Sequence, residues 1–149
     1  MSAVNVLSKN LWRKYFVASN KKIGNEFEAD LCEILFTNGF WAHNLAQNQA
    51  GQPADVIAVR NGKAYLIDCK VCLKNRFNLS RVEENQQCSM ELWKDCKNGE
   101  GWFALLLNDG RVYMLDQSSI TTLSLHQSSI NEKLITSHGI PLNQWMLDH

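Results

Sequence analysis

Two short apolar runs that meet at Asn61-Gly62 place the strongest constraint on how this chain folds. The runs cover residues 54–59 and 64–71, and each has the length of an ordinary β-strand. Both central residues of a type I′ turn need a positive φ angle, which asparagine and glycine adopt more readily than other residues. The sequence therefore predicts a β-hairpin with two adjacent strands.

Apolar periodicity predicts further elements on both sides of this hairpin. Apolar residues recur at helical spacing over 24–37, and a short strand is expected over 40–45. The runs 103–107 and 112–115 flank Asp109-Gly110, which predicts a second hairpin.

Two sequences of the form Ser-x-x-Glu predict where later helices begin. Ser80-x-x-Glu83 would open a helix that continues to about residue 97, and Ser129-x-x-Glu132 would open another in the tail. The tail is expected to hold one or two short helices. The order of helix, three strands, helix, two strands and helical tail indicates the α/β class, with a mixed sheet flanked by helices.

Length and composition limit the classes of protein that the chain can belong to. Its 149 residues, 45% of them hydrophobic, fit one globular domain. We divide it into a basic N-terminal arm (1–21), a core (22–116) and a short helical tail (117–149). No apolar run approaches the roughly 18 residues that cross a bilayer, and we expect no signal peptide in the first residues, because their basic side chains are not followed by an apolar stretch and a small-residue cleavage site. We therefore expect a cytoplasmic protein without membrane association.

The charges balance, with 15 Lys and Arg against 15 Asp and Glu, but they are segregated. Residues 1–25 contain basic side chains and no acid, and residues 60–81 contain several basic side chains and only one acid, Asp68. Such segments predict a local anion-binding face suited to nucleic-acid phosphates. The candidate DNA-binding residues are Lys21, Lys22, Lys74, Arg76 and Arg81.

A carboxylate and a lysine interrupt the apolar second strand of the first hairpin. Asp68 and Lys70 are two residues apart, so their side chains share one face of the strand. Pairing of the two strands about Asn61-Gly62 brings Asp55 opposite the end of the second strand that carries Asp68. Two adjacent carboxylates repel unless a proton or cation lies between them, and Mg²⁺ is the natural hard cation for oxygen ligands. Beside it, Lys70 would stabilise a developing anion or orient water.

The first helix offers four acids as a possible third carboxylate: Glu26, Glu28, Asp30 and Glu33. Glu28 shares a flank with the apolar stripe that faces the sheet. Glu26, Asp30 and Glu33 occupy a side that we predict to be solvated. Helical spacing therefore selects Glu28.

This arrangement resembles the PD-(D/E)xK nuclease core, in which an aspartate precedes an acid-x-lysine pair. Asp55 and Asp68-x-Lys70 supply that pattern. Gly24 and Glu28 resemble the G-x-x-x-E helix start of the Holliday junction resolvases in this superfamily, a match that also selects Glu28.

Later segments also resemble these resolvases. Phe77-x-Leu79, followed by Gln86, is similar to a segment of the RecU-type bacterial enzymes, and the second hairpin is similar to their final hairpin. The chain has only 39–54 where the RecU type carries a long stalk, so its length is closer to that of the compact archaeal resolvases.

The resemblance implies a restriction-endonuclease-like core and a metal-dependent endonuclease that cleaves branched DNA, most simply a Holliday junction resolvase. Asp55 and Asp68 would bind Mg²⁺, with Mn²⁺ as a possible substitute, and Glu28 would bind or position the metal. Lys70 would stabilise the developing charge or orient the water, and Gln86 would position water or phosphate. Two symmetric cuts with one site per chain imply a homodimer.

Two other functions remain open from the sequence. One is a restriction or repair nuclease on the same core, which would cut linear duplex and junctions equally. The other is a non-catalytic DNA-binding module, which would bind tightly without cleavage in either Mg²⁺ or Mn²⁺.

Overall fold

A computed structural model describes residues 20–45 and 53–149 of the chain. Within these residues the helices are α1 (Asn20–Thr37), α2 (Glu84–Asp95), α3 (Gln117–Ser124), α4 (Glu132–His138) and α5 (Leu142–Asp148). The strands are β1 (Trp41–Asn44), β2 (Val56–Arg60), β3 (Lys63–Val71), β4 (Arg76–Asn78), β5 (Trp102–Leu106), β6 (Val112–Asp116), β7 (Ser129–Asn131) and β8 (Ile140–Pro141). None of the described helices is long and apolar enough to cross a membrane.

The first hairpin forms as predicted and places β2 against β3. Asn61 and Gly62 have φ angles of 54° and 76°, which is the pair of positive values that a type I′ turn requires. The strands pair antiparallel, with Val56 opposite Ile67. The hairpin therefore fixes which residues before β2 lie beside the middle of β3.

Six strands form one mixed sheet in the order β1-β2-β3-β5-β6-β8. Strands β3 and β5 run parallel, with Asp68 opposite Phe103, and the other neighbours run antiparallel. The second predicted hairpin is present as β5 and β6. The predicted mixed sheet flanked by helices is confirmed, and β4 pairs with β7 in a separate two-stranded sheet.

The sheet is covered on both faces, because alternate residues of its central strands enter two different cores. One core joins α1 and α5 to the face that carries Ile67. The other joins α2, α3, α4 and β4 to the face that carries Leu66. A polar residue on β3 must therefore find its partners among neighbouring side chains rather than in bulk water.

The C-terminal residues belong to the first of these cores. Strand β8 extends the sheet beside β6, and the side chain of Trp145 in α5 is completely buried. Trp145 stacks on Phe40 with 5.6 Å between the ring centroids. The predicted helical tail is present, with three helices where one or two were expected.

The predicted helix starts were wrong at both Ser-x-x-Glu sequences. Ser80 lies in a 3₁₀ turn over Leu79–Arg81, and the capping box of α2 is formed instead by Glu83 and Gln86. The turn buries Leu79 and Val82, so core packing moves the helix start by three residues.

Ser129 belongs to β7, and the N-cap of α4 is Asn131, whose side chain accepts a hydrogen bond from the Leu134 N–H. Pairing of β7 with β4 keeps Ser129 extended. The first helix also begins earlier than predicted, at Asn20 rather than Gly24.

Candidate active site

Asp68 and Lys70 lie side by side on β3, as predicted from their spacing. The Lys70 Nζ atom is 2.9 Å from Asp68 Oδ2, and the Asp68 side chain is completely buried. The side chains of the flanking Ile67 and Cys69 pack on the opposite face with α1. A buried carboxylate thus has a cationic partner on its own strand.

Asp55 is held beside this pair by the backbone of the hairpin. Its N–H donates to the Ile67 carbonyl at 3.1 Å, and its Oδ2 accepts from the Cys69 N–H at 2.7 Å. Cys69 was not predicted as part of the site. The residue between Asp68 and Lys70 acts through its backbone N–H, so the identity of its side chain gives no signal in the sequence.

Glu28 brings the third carboxylate from α1. It is half-buried and shares a hydrogen bond with Asp55, which shares another with Asp68. The structure therefore brings together the three acids that the sequence selected. The prediction that the competing acids are solvated holds for Glu33, which is exposed, and is wrong for Glu26 and Asp30, which are both half-buried.

The electrostatics of the three acids follow from their burial and proximity. Burial, followed by repulsion from Asp55, raises the pKa of Asp68 from its usual 3.8 to about 8, against the opposing attraction of Lys70. The same two causes raise the pKa of Glu28 from 4.5 to about 7. A hydrogen bond between two carboxylates requires a proton, so these acids share protons when no cation is bound.

Gln86 connects the start of α2 to the Asp68–Lys70 pair. Its Nε2 donates to Asp68 Oδ1 at 2.9 Å, while its Oε1 accepts from Lys70 Nζ and from the Glu83 N–H, both at 3.2 Å. The side chain is buried. The amide therefore fixes the orientation of both charged groups and caps the helix that carries it.

The donor chemistry of this cluster fits a hard divalent cation. Its donor atoms are carboxylate oxygens, which are the ligands that Mg²⁺ and Mn²⁺ prefer, and the raised pKa values of Asp68 and Glu28 indicate the need for a compensating positive charge. Among the described residues, no group of three ligating side chains is already arranged as a metal site. The acids are instead occupied with one another and with Lys70.

A groove of about 440 Å³ lies between the start of α1 and the end of β3. Cys69, whose N–H holds Asp55, lines this groove, whereas the three carboxylates and Lys70 do not. Its basic lining residues are Lys74, Arg76 and Arg81. Three of the five predicted DNA-binding side chains are therefore brought together along one surface.

The remaining two, Lys21 and Lys22, belong to the first turn of α1, but their side chains lie outside the described part of the structure. The predicted N-terminal arm lies almost entirely outside the described residues as well. The next residues of α1, Ile23 and Gly24, line the groove.

Comparisons with protein families and with solved structures both gave matches. The family model described as archaeal Holliday junction resolvase (Hjc) matches residues 19–147. The structure is similar to that of Archaeoglobus fulgidus Hjc, a Holliday junction resolvase from an archaeal hyperthermophile, with a TM-score of 0.64 and 20% sequence identity over 83% of this chain and 94% of that chain. A search of curated protein sequences found no significant match.

Proposed function

The chain belongs to the archaeal Holliday junction resolvase family, and from this premise we propose that it is an endonuclease that cleaves branched DNA, above all four-way junctions. The observation that carries the proposal is the cluster of Glu28, Asp55 and Asp68 with Lys70, which Cys69 connects to a groove lined by three basic side chains. Carboxylates that need a positive charge, placed beside a surface that attracts phosphate, suit metal-assisted hydrolysis of a phosphodiester.

We propose Mg²⁺ as the cation, with Asp55, Asp68 and Glu28 as its ligands and Mn²⁺ as a substitute. A divalent cation bound there lowers the pKa of its water and neutralises charge on the scissile phosphate. The protein holds Asp55 for this task with the Cys69 N–H and holds Asp68 with the amide of Gln86.

Lys70 is the residue that we assign to charge stabilisation. Its ammonium group is largely buried and already next to Asp68, so a phosphate brought to the cluster meets a positive charge in a site of low dielectric. Gln86 is a positioning residue, because both ends of its amide are engaged with Lys70, Asp68 and the Glu83 N–H.

The groove would hold the DNA backbone through Lys74, Arg76 and Arg81. Arg76 donates to Ser129 Oγ at 2.7 Å, and Arg81 donates to the Val71 carbonyl at 2.9 Å, so both side chains are held in place at the surface. Replacing all three by alanine should weaken binding to any DNA sequence. The slope of log affinity against log salt should become shallower, by up to about 0.9 per lost contact on duplex DNA. An unchanged slope with altered sequence preference would contradict this assignment.

We propose that the active form is a homodimer. A four-way junction presents two equivalent scissile phosphates, and each chain supplies one carboxylate cluster. A dimer makes the second cut intramolecular. Support comes from β1, which lies at the edge of the sheet with Trp41 57% exposed. Sedimentation at micromolar concentration, with and without junction, tests this; a strict monomer that makes paired cuts in one binding event contradicts it.

The decisive experiment compares cleavage of a synthetic four-way junction and a linear duplex of the same sequence, with Mg²⁺, with Mn²⁺ and with EDTA. Lys70→Ala should abolish cleavage, while the matched control Lys63→Ala, an exposed residue at the other end of β3, should retain it. Equal cutting of both substrates would instead indicate a restriction or repair nuclease. Tight binding without cleavage in either metal would indicate a non-catalytic module.

A further inference from the structure

An exposed apolar side chain lies among the basic residues that line the groove. Leu73 is 45% exposed and lines the groove together with Lys74, Arg76 and Arg81. Single exposed leucines are common on protein surfaces. This one is unusual in its position, because it shares the groove with the three basic side chains that we assign to DNA binding.

The turn that carries Leu73 is anchored at its base. The Asn75 N–H donates to the Cys72 carbonyl at 2.9 Å, which closes a four-residue turn with Leu73 and Lys74 at its tip. The Cys72 N–H donates to the Leu106 carbonyl of β5 at 2.8 Å, and the Cys72 side chain is completely buried. The first residue of the turn is therefore part of the core.

The last residue of the turn, Asn75, is anchored by its side chain. This residue has a φ angle of 51°, its Oδ1 accepts from the Asn108 N–H at 2.8 Å, and its Nδ2 donates to Glu132 Oε2 at 3.3 Å. Both ends of the turn are thus tied to distant parts of the chain. A turn held in this way presents its tip without a further ordering cost on binding.

We propose that Leu73 is an apolar wedge that enters the DNA at the branch point and gives the protein its preference for junctions. Phosphate contacts position a nucleic acid but do not by themselves select the site to be cut. Apolar side chains inserted between base steps unstack and kink DNA at a cost of a few kcal/mol per step. That cost is lower at a branch point, where stacking is already interrupted, so the wedge favours branched over linear DNA. This inference rests on the function proposed above.

The test measures junction preference, defined as the ratio of duplex Kd to junction Kd, in Ca²⁺ to prevent cleavage. Leu73→Ala should lower this ratio by about tenfold, which corresponds to the burial of one leucine side chain, with duplex affinity and its salt slope unchanged. Leu73→Met should retain the preference. The control Leu92→Ala removes a leucine that is 64% exposed on α2 and does not line the groove, and it should change nothing.

A second measurement detects the unstacking of bases that insertion of Leu73 would cause. With 2-aminopurine placed at the branch point, binding of the wild-type protein should raise its fluorescence and binding of Leu73→Ala should not. An unchanged preference in Leu73→Ala, or equal losses on junction and duplex, overturns the wedge while leaving the proposed function in place. A wild-type protein that neither prefers nor cleaves junctions overturns both.

Discussion

Replacing Asp68 by asparagine should abolish cleavage and, at the same time, make the cation-free protein more stable. Asp68 is completely buried and shares its surroundings with the carboxylates of Asp55 and Glu28 and the ammonium group of Lys70. With every group ionised, three negative charges face one positive charge, which is a net charge of −2. Asparagine removes one negative charge, and its Oδ1 can still accept the hydrogen bond from Gln86.

The direction of the pH dependence follows from the raised pKa of Asp68. The folded protein holds a proton on this carboxyl up to about pH 8, while the unfolded chain loses it near 3.8. Between these values the folded state binds more protons, so the free energy of unfolding falls as pH rises. An asparagine at this position does not titrate, and the advantage of Asp68→Asn should therefore be largest at pH 8 and small at pH 5.

The attraction of Lys70 is already included in the pKa of about 8. The net gain is still smaller than this shift suggests, because asparagine places an amide NH₂ group where Asp68 Oδ2 meets Lys70 Nζ, and a buried donor left without an acceptor costs about 1–3 kcal/mol. We expect a net stabilisation of about 1–2 kcal/mol at pH 8. For a chain of this length, that corresponds to a rise in Tm of about 2–8 °C.

Thermal unfolding followed by circular dichroism, in EDTA at pH 8 and pH 5, measures this difference. Adding Mg²⁺ at pH 8 should raise the Tm of the wild-type protein and have a much smaller effect on Asp68→Asn, since ligand binding stabilises the state that binds it. Glu33→Gln, which neutralises an exposed acid on α1, serves as the control. A lower Tm for Asp68→Asn at both pH values would refute the reasoning, because the Lys70 ion pair would then outweigh the repulsion.

Three further substitutions test other parts of the site. Glu28→Gln should abolish cleavage in Mg²⁺ while Glu26→Gln retains it, because Glu28 contacts Asp55; the reverse result would contradict the assignment. Gly24→Ala should raise the free energy of unfolding by about 0.5–1 kcal/mol, since Gly24 lies in α1 and a Cβ there meets no atom within 4 Å. The same substitution should weaken DNA binding, measured by fluorescence anisotropy, because Gly24 lines the groove. Asn75→Ala should lower the free energy of unfolding by about 2 kcal/mol, because it loses two hydrogen bonds and keeps a positive φ angle. Asn75→Gly loses the same hydrogen bonds but tolerates the positive φ angle, so it should lower stability less. Equal losses of the two variants in denaturant unfolding would exclude the contribution of the backbone.

The parts of the fold that the sequence predicted correctly are those specified by local pattern. A type I′ turn requires positive φ angles at both central residues, and Asn61 and Gly62 adopt them readily. Once that turn is set, strand pairing places Asp55 beside Asp68, and the period of two in β3 places Lys70 on the same face. Helical spacing relative to the apolar stripe of Leu31 and Leu35 pointed to Glu28, and the structure places Glu28 beside Asp55.

The parts that were missed depend on partners that are distant in sequence. Strand β4 has three residues and no alternating pattern of its own, and its partner β7 lies about 50 residues later. Ser80 and Ser129 have the local sequence of a cap, yet one is held in a 3₁₀ turn and the other in β7. A capping box contributes only about 1 kcal/mol, so burial of neighbouring apolar residues or pairing with another strand overrides it.

The true start of α2, three residues later than predicted, explains how the fold and the site are coupled. A helix that began at Ser80 would not place Gln86 at its third position, where a side chain can reach back to the cap. Because the helix begins after Glu83, the Oε1 atom of Gln86 accepts from the Glu83 N–H and from Lys70 together, and its Nε2 holds Asp68. Glutamate, the other residue that favours this position in a capping box, would add a fourth negative charge to the cluster. Glutamine is therefore the residue that satisfies the helix end and the carboxylates at once, which ties the orientation of α2 to the geometry of the site.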